Sequence, residues 1–323
     1  MADKTFATLG KQQALKELFG ASSYKPYGKS AHRLLLEGID FNLIYFPLKH
    51  LGYKSVLAVS GELYSQLKHP KKLSVVLGVS AKLDYAQIEE LWSGITTAAT
   101  EAGYEDVDLD LVPSKNGLCI SVAAEGTVKD ETLKNRPAPQ SKDLICVSGR
   151  LGAAYLGLQV LERERVRFEA GSKKGEELEK FRMLVGAYLK PEFDQKTIDH
   201  LEESDLIPSA GYFITNGLSD AVMRLSRDTG FGAKIYADKI PFEAGSFDLG
   251  KQLDIDPVSA AMNGGEDYQL LFTIPILKAE QFRKDFQTFD IIGHLAKPEV
   301  GTVLVSPDGL EFPLTAQGWA KQE

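Results

Sequence analysis

The stretch MNGGEDYQLLFT, residues 262–273, places two glycines and two adjacent carboxylates directly before an apolar strand. Glycine lets the backbone approach a ligand closely, and Mg²⁺ is commonly bound by one or two carboxylates together with substrate phosphates. A strand by itself needs neither residue type at its start. Gly264, Gly265, Glu266 and Asp267 are therefore candidate ligand-binding residues, and a tight turn without a ligand is the alternative.

Three other glycine-bearing junctions lie where a predicted strand passes into a helix or a loop. They are EGIDF (37–41), VSGRLGAAYLG (147–157) and TNGLSD (215–220). Exposed backbone N–H groups at the start of a helix favour phosphate binding. The candidate ligand contacts at these junctions are Gly38, Gly149, Gly152 and Gly217. For any one junction, a glycine that only permits a turn is the simpler explanation, and none matches a Walker loop or a dinucleotide fingerprint.

Carboxylates near other predicted strands are candidate Mg²⁺ ligands. Asp106, Asp108 and Asp110 alternate in DVDLDLV, so a period of two places all three on one face of a strand. Such a row either faces a metal ion or forms the solvated side of an edge strand. Glu62, in VSGE, is a further candidate.

Composition narrows the class of protein. A chain of 323 residues predicts two domains. A net charge of −8 without a basic face argues against nucleic-acid binding. The two cysteines lie in apolar runs, which predicts burial, and the five histidines lack the spacing of a metal site. We find neither a signal-peptide core nor an apolar run of membrane-spanning length, so we expect a cytoplasmic protein without a membrane partner.

Predicted strands and helices fill both halves of the chain. RLLLEGIDFNLIYF (33–46) predicts two strands, and SVLAVSGELYSQL (55–67) predicts a helix. The segment KNRPAPQSKD (134–143) is rich in proline and polar residues and predicts a domain boundary near residue 138. We therefore expect an N-terminal domain of residues 1–138 and a C-terminal domain of residues 139–323, each with a sheet packed against helices.

In their order along the chain, these segments resemble thiamine-monophosphate kinase, of the superfamily that includes aminoimidazole ribonucleotide synthetase. The segments that carry the resemblance are 34–56, 143–164 and 263–273, supported by LKP (189–191), 216–241 and Arg136. The resemblance implies an α/β (α+β) two-domain, aminoimidazole-ribonucleotide-synthetase-like fold. Its N-terminal domain would form a dimeric β-barrel with a second subunit, and its C-terminal domain an α+β sandwich.

The resemblance also implies a reaction. ATP, Mg²⁺ and thiamine monophosphate would meet in clefts between domains and subunits, and the γ-phosphoryl group of ATP would pass to thiamine monophosphate to give thiamine diphosphate. Catalysis of this kind depends on positioning and on the charge of the metal ions. The family holds those ions with aspartates.

At the aspartates the sequence departs from the family. The Asp expected before the Leu-Leu-Leu run is Arg33, and the loop before it is shortened to YKPYGKSAH, which contains Lys29. The Asp-Ile-Ser-Asp-Gly motif reads FITNG at 213–217, without a carboxylate. The histidine of the Glu-Gly-x-His-Phe strand is Asp40. Of the metal ligands that the resemblance implies, Asp110 and Glu62 remain.

Three hypotheses follow. In the first, the chain keeps the fold and the homodimer, has lost Mg²⁺-dependent phosphoryl transfer, and binds a small phosphate ligand or a protein partner. In the second, it is an active kinase whose metal ligands come from Asp40, Glu62 and the row 106–110. In the third, it acts on another nucleotide or phosphate substrate, which Arg33 and Lys29 contact directly. If the shortened segment 20–33 brings Lys29 and Arg33 into the cleft, the first and third hypotheses gain support and the second loses it. A group of three or more carboxylates there restores it.

Overall fold

The first half of the chain forms a four-stranded sheet with two long helices. The computed structural model describes residues 6–24, 30–171, 175–194 and 196–316, so the predicted site residue Lys29 lies outside the described residues. The elements are α1 (Phe6–Gly20), β1 (Ser30–Leu36), α2 (Leu48–Ser65), β2 (His69–Ser80), α3 (Tyr85–Ala102), β3 (Asp106–Ser114), β4 (Cys119–Thr127) and α4 (Asp130–Asn135). The strand order is β1-β4-β2-β3.

Helices α2 and α3 cover one face of this sheet. Alternate residues of β2, such as Leu73, Val75 and Leu77, form its apolar core with residues of α3. The two helices lie close together because glycines face each other's backbone. A Cβ on Gly52 would lie 2.1 Å from the Leu91 carbonyl oxygen. The opposite face of the sheet carries no helix among these elements.

The second half forms a seven-stranded sheet. Its elements are β5 (Leu144–Val147), α5 (Ala153–Glu169), α6 (Glu176–Lys180), α7 (Arg182–Leu189), α8 (Thr197–Glu203), β6 (Ala210–Ile214), α9 (Leu218–Thr229), β7 (Gly232–Tyr236), α10 (Ser246–Leu253), α11 (Pro257–Asn263), β8 (Gln269–Ile274), α12 (Ala279–Asp285), β9 (Asp290–Ala296), β10 (Thr302–Val305) and β11 (Glu311–Pro313). The strand order is β11-β10-β7-β9-β5-β8-β6.

Helix α2 joins the two halves, because it packs against both sheets. One side belongs to the core of the first sheet, and Leu57 and Tyr64 on the other side pack with Phe213 and Phe272 of the second. Gly61 makes this contact possible, since a Cβ there would lie 2.1 Å from the Phe213 ring. β4 ends at Thr127 and β5 begins at Leu144, so segment 134–143 connects the two sheets. That the sheets form separate domains stays a prediction.

Two predictions from the sequence are wrong in detail. The second strand of 33–46 does not form, because β1 ends at Leu36 and a turn follows. Asp40 stabilises this turn by accepting a hydrogen bond from the Leu36 backbone N–H at 2.8 Å. The helix predicted from residue 55 begins earlier, at Leu48, directly after Pro47, which has no N–H to place inside a helix. Among the described residues, no helix has the length and apolar composition needed to cross a membrane.

Candidate functional site

The loop between α11 and β8 has a left-handed backbone. Gly265, Glu266 and Tyr268 have φ values of 78°, 63° and 53°. The loop is held against the end of β6, where the Glu266 N–H donates to the Thr215 carbonyl at 2.8 Å. For residues with a Cβ this conformation is costly and is kept only where the surrounding structure enforces it. Within this loop, Glu266 and Asp267 bind partners in different parts of the molecule.

Asp267 binds the start of α5. Its carboxylate accepts hydrogen bonds from the backbone N–H groups of Gly152 at 3.0 Å and Ala154 at 3.4 Å. A carboxylate at a helix N-terminus satisfies free N–H groups and is favoured by the helix dipole. Burial opposes its charge and raises the pKa of Asp267 to about 7. Asp267 therefore fixes the junction between β5 and α5.

The raised pKa of Asp267 predicts a pH-dependent stability. A carboxyl with a folded pKa of about 7 and an unfolded pKa of about 3.9 contributes most below pH 4, and this contribution is lost as pH rises through 7. We expect Asp267→Asn to flatten the fall in unfolding free energy between pH 4 and 7, by at most about 1.4 kcal/mol per pH unit. Urea unfolding across this range measures it.

The control for this experiment is Asp256→Asn, since Asp256 is an exposed carboxylate that caps α11 through the Ser259 N–H at 3.0 Å. Both variants lose a helix cap, and only Asp267 is buried. Curves for Asp267→Asn that run parallel to the wild type across the pH range would contradict a raised pKa at this residue.

Glu266 belongs to a charge cluster that connects the two halves of the chain, formed by Arg33, Asp40, Lys54 and Glu266. The Arg33 guanidinium donates to Glu266 Oε1 at 2.9 Å and lies 3.8 Å from Asp40 Oδ1. Lys54 Nζ lies 3.0 Å from Glu266 Oε2. Arg33 comes from β1, Lys54 from α2, and Glu266 from the second half. Two cations and two carboxylates thus balance one another.

Lys54 is the most buried cation of the charge cluster, with 3% of its side chain exposed. It donates to the Tyr188 carbonyl at 2.9 Å and lies 4.0 Å from the centre of the Tyr188 ring. Burial lowers the pKa of Lys54, while Glu266 opposes that shift. Lys54 was not among the residues predicted from the sequence. Its signal was a lone lysine on an apolar helix face, with Leu51 and Ala58 three and four residues away.

Next to the charge cluster lies an inter-sheet cleft of about 250 Å³. Its polar lining includes Lys11, His32, Arg33, Glu62, Asn216 and Arg224. Arg224 forms ion pairs with two carboxylates of the cleft, since it lies 3.1 Å from Asp220 Oδ2 and 3.6 Å from Glu62 Oε1. The spacing of Asp220 and Arg224 is visible in the sequence as a helical i,i+4 pair. Their proximity to Glu62 is not, because it depends on the packing of α2 against α9.

Mg²⁺ does not fit the described residues of this cleft. Each carboxylate of the cleft lining, Glu62 and Asp220, and each carboxylate of the adjacent charge cluster, Asp40 and Glu266, already lies within ion-pair distance of a cation. A metal ion would have to displace Arg33, Lys54 or Arg224 or be repelled by them. The guanidinium of Arg33 is better suited to an anion, because its buried Nε lacks an acceptor among the described residues.

Asp110 and Glu62, the remaining metal candidates, are not brought together within the chain. Asp106, Asp108 and Asp110 do share a face of β3, since Asp108 and Asp110 pair with Ser74 and Val76 of β2. This is the face without helices. β3 is three strands away from β1, which places Asp110 about 14 Å across the sheet from Arg33.

Within the described part of the chain, one group of three side chains has metal-ligand spacing: His69, Asp199 and Glu202. It lies outside the inter-sheet cleft. Lys129 Nζ lies 2.6 Å from Glu202 Oε2 and 3.9 Å from Asp199 Oδ1, so a cation already neutralises the group. We therefore describe it as a network of ion pairs.

The candidate glycines have different surroundings. A Cβ on Gly152 would lie 2.8 Å from the Ala261 backbone nitrogen, and one on Gly217 would lie 2.5 Å from the Met262 carbonyl oxygen. Both glycines therefore make room for α11. A Cβ on Gly264 would contact Tyr155 at 2.5 Å. Gly38, with φ +83°, has open space around it and serves the turn after β1.

Gly149 lines a second cavity, of about 400 Å³, at the start of α5. Its charged lining includes Arg150, Arg182, Lys190, Glu192, Glu243 and Asp267. The LKP segment (189–191), the glycine junction at 147–157 and the GGED loop therefore all contribute residues to the lining of this cavity. The backbone N–H groups at the start of α5 are partly taken by Asp267, which limits what they offer to an anion.

Comparison with known proteins identifies relatives in sequence. No protein-family model matches the chain. Thiamine-monophosphate kinase of Aquifex aeolicus is 26% identical over 244 residues, which cover 75% of this chain and 74% of the relative. A putative hydrogenase expression/formation protein of Methanocaldococcus jannaschii is 23% identical over 288 residues, covering 86% of this chain and 80% of the relative. The similarity therefore extends over most of the chain.

Solved structures agree in fold. Thiamine monophosphate kinase from Aquifex aeolicus superposes with a TM-score of 0.78 at 22% identity, covering 96% of this chain and 100% of that chain. AaThiL complexed with AMPPCP and TMP gives a TM-score of 0.76 at 21% identity and covers 99% of each chain. The HypE–HypF complex gives 0.68 at 14% identity, covering 93% of this chain and 98% of that chain.

These findings confirm the predicted resemblance and the predicted mixed α/β fold class. The chain resembles the thiamine-monophosphate kinases, and it shares with them and with HypE the fold related to aminoimidazole ribonucleotide synthetase.

Proposed function

We propose that this chain is a thiamine-monophosphate-kinase-like binding protein. Its inter-sheet cleft binds a phosphate-bearing small ligand without Mg²⁺, and Mg²⁺-dependent phosphoryl transfer is lost. The observation that carries the proposal is the charge cluster. Arg33 stands where the resemblance implies an aspartate, and its guanidinium pairs with Glu266 at 2.9 Å. Lys54 supplies the second positive charge at 3.0 Å.

The loss of transfer follows from electrostatics. Metal ions in phosphoryl transfer hold the triphosphate and the acceptor together and neutralise their developing charge. A guanidinium and an ammonium supply positive charge at fixed points but do not provide octahedral coordination. Because electrostatic stabilisation is usually the largest catalytic contribution, replacing the metal ligands removes most of the rate.

Retained binding is supported by the cleft itself and by a relative. The cleft presents Lys11, Arg33 and Arg224 beside the polar side chains of His32 and Asn216. AaThiL has been solved with AMPPCP and TMP. Arginine binds phosphate through parallel N–H donors, so Arg33 suits a phosphate group without a metal ion.

The proposal includes a homodimer formed through the uncovered face of the first sheet. Leu34, 54% exposed, and Val112, 42% exposed, lie on this face, together with Val76, which is in the same register row as Leu34. The face also carries the aspartate row 106–110, and exposed apolar side chains on a sheet face are normally covered by another layer. A sedimentation coefficient that fits a monomer at micromolar concentration would contradict this part.

The test is calorimetric titration of the purified protein with ATP, with and without Mg²⁺, and in parallel with thiamine monophosphate. We expect ATP to bind with an affinity that Mg²⁺ changes by less than about threefold, and we expect no ADP to form. Arg33→Gln should weaken binding about tenfold, since one charge-assisted contact is worth about 1.5–3 kcal/mol. Arg227→Gln, an exposed arginine on α9, is the matched control.

Each outcome separates the hypotheses. Mg²⁺-dependent ATP binding followed by ADP release would overturn the proposal in favour of an active kinase with rearranged ligands. Absence of binding under every condition would refute the phosphate ligand and favour a protein partner. Equal loss of affinity in the Arg33 and Arg227 variants would place the ligand elsewhere.

A further inference from the structure

A third cavity, of about 680 Å³, lies on the face of the seven-stranded sheet between α12 and the end of β7. We call it the β7–β9 groove, and its main lining residues are Lys142, Tyr236, Lys239, Arg283, Phe289 and His294. Leu144 and His294 are partners in the strand register, so both side chains lie on this face. The volume falls within the range of about 300–1,000 Å³ that is usual for small-molecule sites.

The aromatic rings of Tyr236, Phe289 and His294 line the groove. Tyr236 and His294 form a ring pair with centroids 5.8 Å apart and an interplanar angle of 32°. Burial, together with Lys234, lowers the pKa of His294, so the imidazole is neutral at pH 7 and presents a ring face. Phe289, which also lines the groove, stacks on Phe272 with centroids 6.0 Å apart, which fixes its orientation. The groove therefore offers ordered aromatic rings to a flat ligand.

The charge of the groove is opposite to that of the whole protein. Lys142, Lys239 and Arg283 line it, and within the described part of the chain none of these three forms an ion pair. The carboxylate at the rim, Asp290, lies 3.5 Å from Arg150 outside the groove. Three uncompensated cations around one cavity are unusual in a chain with a net charge of −8. They favour an anion as the complementary ligand.

Lys142 is held in place by its backbone. Its φ of 79° is in the left-handed region, and its N–H donates to the Leu295 carbonyl at 2.7 Å. A non-glycine residue keeps this conformation only where the surrounding structure enforces it. The backbone position of Lys142 at the edge of the groove is therefore set by this hydrogen bond to β9.

We propose that the β7–β9 groove is a second ligand site, which binds a small anion with a flat aromatic ring, of the size and charge of a nucleoside monophosphate. The ring lies against Tyr236 and Phe289, and the anionic group faces Arg283 and the two lysines. Larger polyanions are disfavoured, because the surface as a whole is acidic. The site is independent of the proposed function, since it shares no lining residue with the inter-sheet cleft.

The test uses AMP as the probe, with adenosine and inorganic phosphate as the two partial probes. Saturation-transfer NMR and calorimetry measure binding to the full chain. We expect AMP to bind at least tenfold more tightly than either partial probe. Arg283→Glu should weaken AMP binding at least tenfold, and Tyr236→Leu should weaken it severalfold. Lys284→Glu, an exposed lysine on the same helix, is the matched control and should change nothing.

A binding pattern of another kind overturns the proposal. Phosphate that binds as tightly as AMP would reveal a simple anion site without recognition of the ring. AMP binding that is lost in Arg33→Gln and kept in Arg283→Glu would place the nucleotide in the inter-sheet cleft. No AMP binding at millimolar concentration would exclude this ligand class. Circular dichroism of each variant verifies that the fold is kept.

Discussion

Replacing Lys54 with methionine is expected to lower the free energy of unfolding by about 3 kcal/mol. Methionine keeps the volume and the apolar stem, so the effect isolates the charge. Glu266 would lose the ammonium at 3.0 Å, and the Tyr188 carbonyl would lose its donor at 2.9 Å. A buried charge that loses a partner costs more than the pair contributed, because its desolvation is no longer offset.

Urea unfolding monitored by circular dichroism measures this change, and Lys49→Met is the control. Lys49 lies on the same helix and is exposed, so the same substitution should change stability by less than about 0.5 kcal/mol. Combining Lys54→Met with Glu266→Gln should recover at least about 1 kcal/mol of the sum of the single effects, because the two groups are in contact. Strict additivity would show that the charge cluster is not a coupled unit.

The charge cluster also links stability to function. The resemblance to thiamine-monophosphate kinase implies metal ions held by aspartates. Here the compensating charges belong to the chain and are present without a ligand. The contacts between Arg33, Lys54 and Glu266 bind the first sheet and α2 to the second half of the chain. The charge cluster therefore provides a permanent connection between the two halves of the chain.

Whether a structural feature could be predicted from the sequence depends on how far apart along the chain its residues lie. The resemblance and the fold class could be predicted from the sequence, because both rest on long apolar segments with local periodicity. Arg33 was recognised as a change of charge because a family pattern supplied the comparison. Its pairing with Glu266, 233 residues away, was not visible, because only the folded chain brings β1 to the α11–β8 loop. The wrong strand at 37–46 has a local cause, the turn that Asp40 stabilises.

The glycines show a second limit. A sequence indicates that a position avoids a side chain, but not what occupies the space. At Gly152, Gly217 and Gly264 that space is filled by the protein itself, through the backbone or side chains of neighbouring helices. At Gly38 it is open, and the left-handed φ explains the glycine. Glycine is thus required for two different physical reasons, close packing and a left-handed backbone, and substitution by alanine distinguishes between them.

Gly217→Ala is expected to lower the free energy of unfolding by about 2–6 kcal/mol. Gly217 has φ 90° and ψ 163°, a region that is essentially restricted to glycine, with a cost of about 1–3 kcal/mol for other residues. In addition, the new Cβ would lie 2.5 Å from the Met262 carbonyl oxygen and 2.9 Å from Asn263 Cα. Overpacking against backbone of this kind adds about 1–3 kcal/mol, because α11 has to move.

Gly38→Ala is the matched control, and urea unfolding of both variants gives the comparison. Gly38 has a similar φ of +83° but no atom within 4 Å of a built Cβ, so only the backbone strain applies and we expect a loss of about 1–2 kcal/mol. The difference between the variants measures the contact of the β6–α9 junction with α11. Equal losses would mean that α11 moves to accommodate the new Cβ without a further loss of unfolding free energy. The packing explanation for Gly217 would then fail, and close approach of a ligand to the TNGLSD junction would again be the reason for its glycine.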